Sequence, residues 1–242
     1  MPENFAEYAF RPEICGVLDL MPDHPACRHA LFLAQQELTL PQLYAGFRLF
    51  LYASALLRKE TPAPEIVNCP RYPEIISLYQ SDTYHSPAWV LPVEVPAYGL
   101  FVACILLPYG TAPRFHVATV AAEIISADEV MFVLTTNGMD RMVARDFWLA
   151  VAFHTSTGKA ETMAGPVRAV KLALQIEQGL RPPPDPDALP GGKATAARMP
   201  KELPMIQHCE HGTLVQNLKA PRSSILFASW KAMRELNRGG QT

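Results

Sequence analysis

The chain has 242 residues, with 21 Lys and Arg against 23 Asp and Glu, a net charge of −2. That length supplies one or two domains and a sizeable core without disulfides or a structural metal. A hydrophobic share of 49% excludes a wholly disordered chain, and 23 prolines are about twice the usual ~5% share.

Residues 1–30 carry acids from Glu3 onward and lack a basic start followed by an apolar run, so no secretory signal is expected. The spacing predicts a helix from Ala26 to Leu38. Thr39 is a good N-cap, and Pro41 sits in a first turn where proline is tolerated. A second helix then runs to about Lys59. Its most apolar part, Leu43 to Leu57, is interrupted by Arg48. At about 15 residues it falls short of the ~20 needed to span a membrane, so it reads as a buried helix. The Thr61-Pro-Ala-Pro64 run ends that element. A short helix is expected over 71–80.

The middle of the chain reads as β-rich. Trp89 to Val95 and Leu100 to Leu107 are rich in β-formers, with Pro92 marking the first as an edge or bulged strand and Pro96 to Gly99 as the connection. Residues 115–126 combine helical spacing with β-branched content and are read as a helix. Glu129 to Thr136 is predicted as a strand. Asn137-Gly138 predicts a hairpin to a partner strand over 141–153, with a kink or bulge at Asp146. A third helix starts near Pro166, with Val167, Val170 and Leu174 on one face, Gly179 as its C-cap and Pro182 as its stop.

Seven prolines lie between Arg181 and Pro204, with Gly191-Gly192 among them. This segment is expected to be a linker or extended arm outside the core. Ser223 or Ser224 caps a predicted last helix to Asn237, with Leu226, Trp230 and Met233 as its apolar stripe. The organisation expected is therefore α+β. N-terminal helices pack on a small, mostly antiparallel sheet (1–180), followed by the Pro-rich arm (181–204) and a basic C-terminal extension (205–242).

Charge is segregated along the chain. Up to Pro190 there are 13 basic and 20 acidic residues, a balance of −7; from Gly191 there are 8 and 3, a balance of +5. In the extension, Lys231, Arg234 and Arg238 share one helical face, and Lys219, Arg222 and Trp230 lie nearby. Such a face supplies sequence-independent phosphate affinity, and an aromatic stacks on bases. It equally suits docking on a protein partner, and its plain alternative is a solvated helix face.

Other chemistry-bearing groups are weaker. Thr155 to Lys159 has Ser156, Gly158 and Lys159 placed to cradle an anion. A nucleotide-binding loop would need Gly at Phe153 and Ser or Thr at Ala160, so no nucleotide signature is present; the alternative is an ordinary polar loop. His208, Cys209, Glu210 and His211 are adjacent, and Cys15, His24, Cys27 and His29 form an irregular set; neither has a standard zinc spacing. His116 and His154 read as packed histidines before general bases. Glu123, Asp140 and Asp146 lack a paired-carboxylate spacing. Five scattered cysteines with no C-x-x-C point to a reducing, cytoplasmic setting.

No cofactor or metal is expected, and no membrane. The function expected is a non-enzymatic interaction or scaffold subunit of a larger assembly, a nucleoprotein one included, docking through the basic extension. The rival is a small hydrolase or transferase with a site near His154 to Lys159.

Overall fold

The computed structural model describes residues 9–59, 95–115, 118, 120–156, 159–163 and 165–204. Among these residues there is no strand, which corrects the expected α+β sheet to an all-helical body. A 3-10 helix, Pro12–Leu20, leads into α1 (Pro25–Glu37) and α2 (Leu40–Lys59). Then come α3 (Ala97–Leu106), α4 (Ala122–Thr136), α5 (Arg141–Ala152), the one-turn α6 (Lys159–Thr162), α7 (Gly165–Glu177) and α8 (Gly192–Glu202).

Helices α1 and α2 form where caps and apolar spacing place them. The Gln42 side chain accepts from the Thr39 amide at 2.9 Å, returning from the third helical position to the residue before α2. This is the reciprocal half of a capping box. Leu43, Phe47 and Leu51 are then fully buried along one face of α2.

Helix α3 is the centre of the body and packs against α1, α2, α4 and α5. Gly99 to Leu106 are all buried. The expected strand over 100–107 is thus a helix. A helix covered on every side has no polar face, so its 3.6-residue period vanishes from the sequence and its β-formers mislead. Phe101 stands edge-on to both Phe47 and Phe50, at 5.4 and 5.3 Å between centroids. Gly99 lets Phe147 approach: a Cβ there would lie 2.5 Å from two ring carbons.

The predicted hairpin over 129–153 is also corrected, to a pair of antiparallel helices. Glu129 to Thr136 continues α4, which starts at Ala122, inside the helix expected over 115–126. Asn137-Gly138 ends it as a Schellman cap. Gly138 takes φ +91°, its amide donates to Thr135 O, and the Met139 amide donates to Leu134 O. Asn-Gly supplies left-handed backbone to a helix end as readily as to a hairpin. Asp140 then caps α5 by accepting from the Met142 and Val143 amides. Asp146 lies within regular α5 rather than at a bulge.

Helix α7 spans the predicted stretch, with Gly179 in left-handed backbone just past its end. The segment over 181–204, expected as a linker or extended arm outside the core, contributes to the core instead. Pro186–Ala188 forms a 3-10 turn, Gly192–Glu202 forms α8, and Leu189, Met199 and Leu203 join the core. The prolines at 182–184 precede these turns, Pro186 opens the 3-10 turn, and Pro200 falls in the last turn of α8.

The expected elements over 71–80 and 223–237 lie outside the described residues, as does nearly all of the strand expected over 89–95. No described helix is long and apolar enough to cross a membrane.

Candidate functional site

The anion-loop residues lie in the turn between α5 and α7. The Ser156 amide donates to Phe153 O at 2.9 Å, which closes the turn. Gly158 lies outside the described residues, and Lys159 opens α6. The strand expected before this loop is α5.

What the fold gathers here is a buried polar cluster. The Lys171 side chain is fully buried; its ammonium donates to His154 O at 2.8 Å and lies 3.9 Å from Glu161 Oε1. Gln175 Nε2 donates to the same Glu161 oxygen at 2.9 Å. Glu161 Oε2 is buried with no hydrogen-bond partner among the described residues. Thr155 Oγ1 donates to Glu123 Oε1 at 2.9 Å, which ties the turn to α4. The His154 ring meets Val151 O through Nδ1 at 2.5 Å, so Nδ1 carries the proton.

Burial opposes the charged forms of both His154 and Lys171. Burial lowers the pKa of His154, and the Lys171 charge acts in the same direction; the Val151 carbonyl and Glu123 oppose them. Burial also lowers the pKa of Lys171, against the pull of Glu161. Both side chains are withdrawn from solvent, and Lys171 joins α7 to α6 and to the turn after α5. A general base at His154 would need a ring that substrate can reach. Sequence reading named His154 and Glu123 but missed Lys171. The available signal was its place on the apolar stripe of α7, four residues after Val167 and three before Leu174.

The Cys/His set near the N-terminus is dispersed. Cys15 is exposed and its thiol meets Arg11 O at 3.5 Å. His24 caps α1 by accepting from the Ala26 amide at 3.2 Å, and its ring stacks on Tyr98. Cys27 faces Tyr98 O, and burial pushes its thiol up to about 12. His29 instead meets Asn137. No group of three or more His, Cys, Asp or Glu among the described residues is placed to hold a metal ion. His208 to His211 lie outside them, as do Lys219, Arg222, Trp230, Lys231, Arg234 and Arg238.

A second buried cation reaches the last described residues. Arg48, buried in α2, donates through Nη1 to the carbonyls of Leu203 and Pro204, both at 2.9 Å. Its Nε and Nη2 engage the Glu177 carboxylate at the end of α7. On the surface, Arg198 of α8 bonds Asp19, Glu202 and Gly16 O. Two arginines thus fasten α8 and the residues after it to the body.

Comparison with known proteins gives no match, either to a family model or to a curated protein sequence.

Proposed function

We propose that the protein is a non-enzymatic interaction subunit of a larger assembly, docking through its basic C-terminal extension, with an anionic partner such as nucleic acid as the first candidate. The observation that carries the reading is the Arg48 clamp on Leu203 and Pro204. The extension begins one residue later, so the body holds its base at a defined place. Charge segregation supports the same reading. From residue 205 onward the chain carries 5 basic and 2 acidic residues, a balance of +3, which suits an element that docks on an anionic partner.

The clamp dictates where the test must cut. Truncation after Pro190 would remove α8 and both carbonyl partners of Arg48, so loss of binding could reflect damage to the body. Truncation after Pro204 keeps them. The full chain and the Pro204 truncation are compared for binding to a labelled single-stranded oligonucleotide across a salt series, and for co-purifying partners. The full chain is expected to bind with a salt slope of about −0.7 per phosphate contact, and the truncation to lose both binding and partners. Equal binding and the same partners for both proteins would overturn the proposal.

A further inference from the structure

Two histidines of the first helix hold it in place by accepting hydrogen bonds. His24 Nδ1 accepts from the Ala26 amide at 3.2 Å, capping α1, while the ring stacks on Tyr98 of α3 at 3.8 Å and 10°. His29 Nδ1 lies 3.2 Å from Asn137 Nδ2, at the end of α4. The orientation of that amide is set independently. Asn137 Nδ2 also donates to Val133 O at 2.7 Å, and the amide oxygen would be repelled there. Asn137 is therefore the donor, and His29 Nδ1 must carry a lone pair.

We propose that α1 is an acid-released element: protonating His24 and His29 turns both acceptors into donors that face donors, and the N-terminal half of α1 lifts from α3 and α4. The surroundings favour neutral rings at neutral pH. Burial lowers the pKa of His24, opposed by Asp23, whose carboxylate is itself paired with Arg28. Burial alone lowers that of His29, whose neighbours from α4 are Asn137 and the uncharged Phe132. From α3, Tyr98 is the titratable group that meets His24.

The far end of α1 is fastened differently. Gln35 bonds the Arg11 amide and Ala9 O, and the Arg11 guanidinium bonds the carbonyls of Gln35 and Leu38. These contacts involve a side-chain amide, a guanidinium and backbone groups with no histidine among them, so that end acts as the hinge. Lifting the other end uncovers Ala26, Cys27, Ala30 and Leu31, all fully buried in the closed state.

The test uses amide hydrogen exchange of the full-length protein, corrected for intrinsic rates, at about pH 7.5 and about pH 5.5. Residues 26–31 are expected to lose protection by roughly tenfold or more, with a much smaller loss in α7, which His154 and Lys171 adjoin. The double variant His24→Asn, His29→Gln keeps both acceptors without their titration, and should remove the step specific to α1. Imidazole nitrogen shifts of the wild-type protein give a readout independent of that variant. Both Nδ1 atoms should be unprotonated at neutral pH, and the Ala26 amide and Asn137 side-chain amide should move with the ring midpoints. Equal acid loss in α1 and α7, no loss in α1, or a proton on either Nδ1 at neutral pH would overturn the proposal.

Discussion

Arg48 and Glu177 form a buried ion pair between the middle of α2 and the end of α7, with side chains only 4% and 8% exposed. The same guanidinium holds Leu203 and Pro204. One cation therefore joins two helices of the body to the residues just after α8.

Removing Arg48 should be strongly destabilising. Arg48→Met leaves the Glu177 carboxylate buried without its countercharge and strips two carbonyls of their donor. A loss of about 3–5 kcal/mol is expected, read from urea unfolding. Adding Glu177→Leu removes the stranded charge and should recover part of the loss. If the double variant is no more stable than Arg48→Met, the ion pair is not the source of the effect.

The surface clasp should behave differently. The Arg198 hydrogen bond holds the Asp19 carboxyl below its usual value, with burial opposing and the arginine charge assisting. A depressed carboxyl stabilises the fold above the unfolded-state value near 3.8, and that contribution is lost as pH falls through the folded-state value. The pair is solvent-exposed and screened by salt. Asp19→Asn should thus loosen α8, read by proteolysis within 186–204, with an effect that shrinks as salt rises and vanishes in strong acid.

A buried hydroxyl secures the turn after α3. Ser126 Oγ accepts from the Gly110 amide at 2.7 Å, and Ser126 is fully buried. Ser126→Ala orphans that amide and should cost about 1–3 kcal/mol in thermal or urea unfolding. Gly110→Ala should be worse tolerated still, because its Cβ would meet the Ala122 carbonyl oxygen at 2.0 Å, and backbone cannot rotate aside.

Gly138 isolates backbone strain from packing. An added Cβ there meets nothing within 4 Å, yet φ is +91°. Gly138→Ala should therefore destabilise by about 1–2 kcal/mol through conformation alone, measured by urea midpoint. A neutral result would contradict the Schellman cap.

Acid should weaken the whole fold before it reaches the carboxylates. His24, His29 and His154 all have lowered pKa values, with burial as the leading cause. Their unfolded forms take up protons first, so stability is full above about 6.5 and falls as pH drops below it. Urea midpoints measured from about pH 8 to 5 should decline across that window; a flat profile would mean that the rings take up protons equally in the folded and unfolded states.

Much of the helical organisation was legible from particular residues. Thr39 with Pro41 marked the start of α2, and Gly179 with Pro182 marked the end of α7, because caps are local chemistry written in adjacent positions. The reading failed over 100–107 and 129–153. Helix α3 is surrounded by four others, so burial on every side erased the period that separates helix from strand. Asn137-Gly138 then reinforced the error, since left-handed backbone serves a helix cap and a hairpin alike. Lys171 was equally hidden: a lysine on an apolar stripe signals a buried amine only once Glu161 and the His154 carbonyl are seen to face it.

The sequence by itself determined where the chain is capped and broken, that Arg48 interrupts an apolar helix, and that charge divides near Pro190. These are properties of composition and of neighbours within a few residues. Only the tertiary structure decided that the middle of the chain is helical and that 192–202 belongs to the body. It also supplied the partner of Arg48, because a buried guanidinium must be paired and its partners lie 129 and 155 residues away.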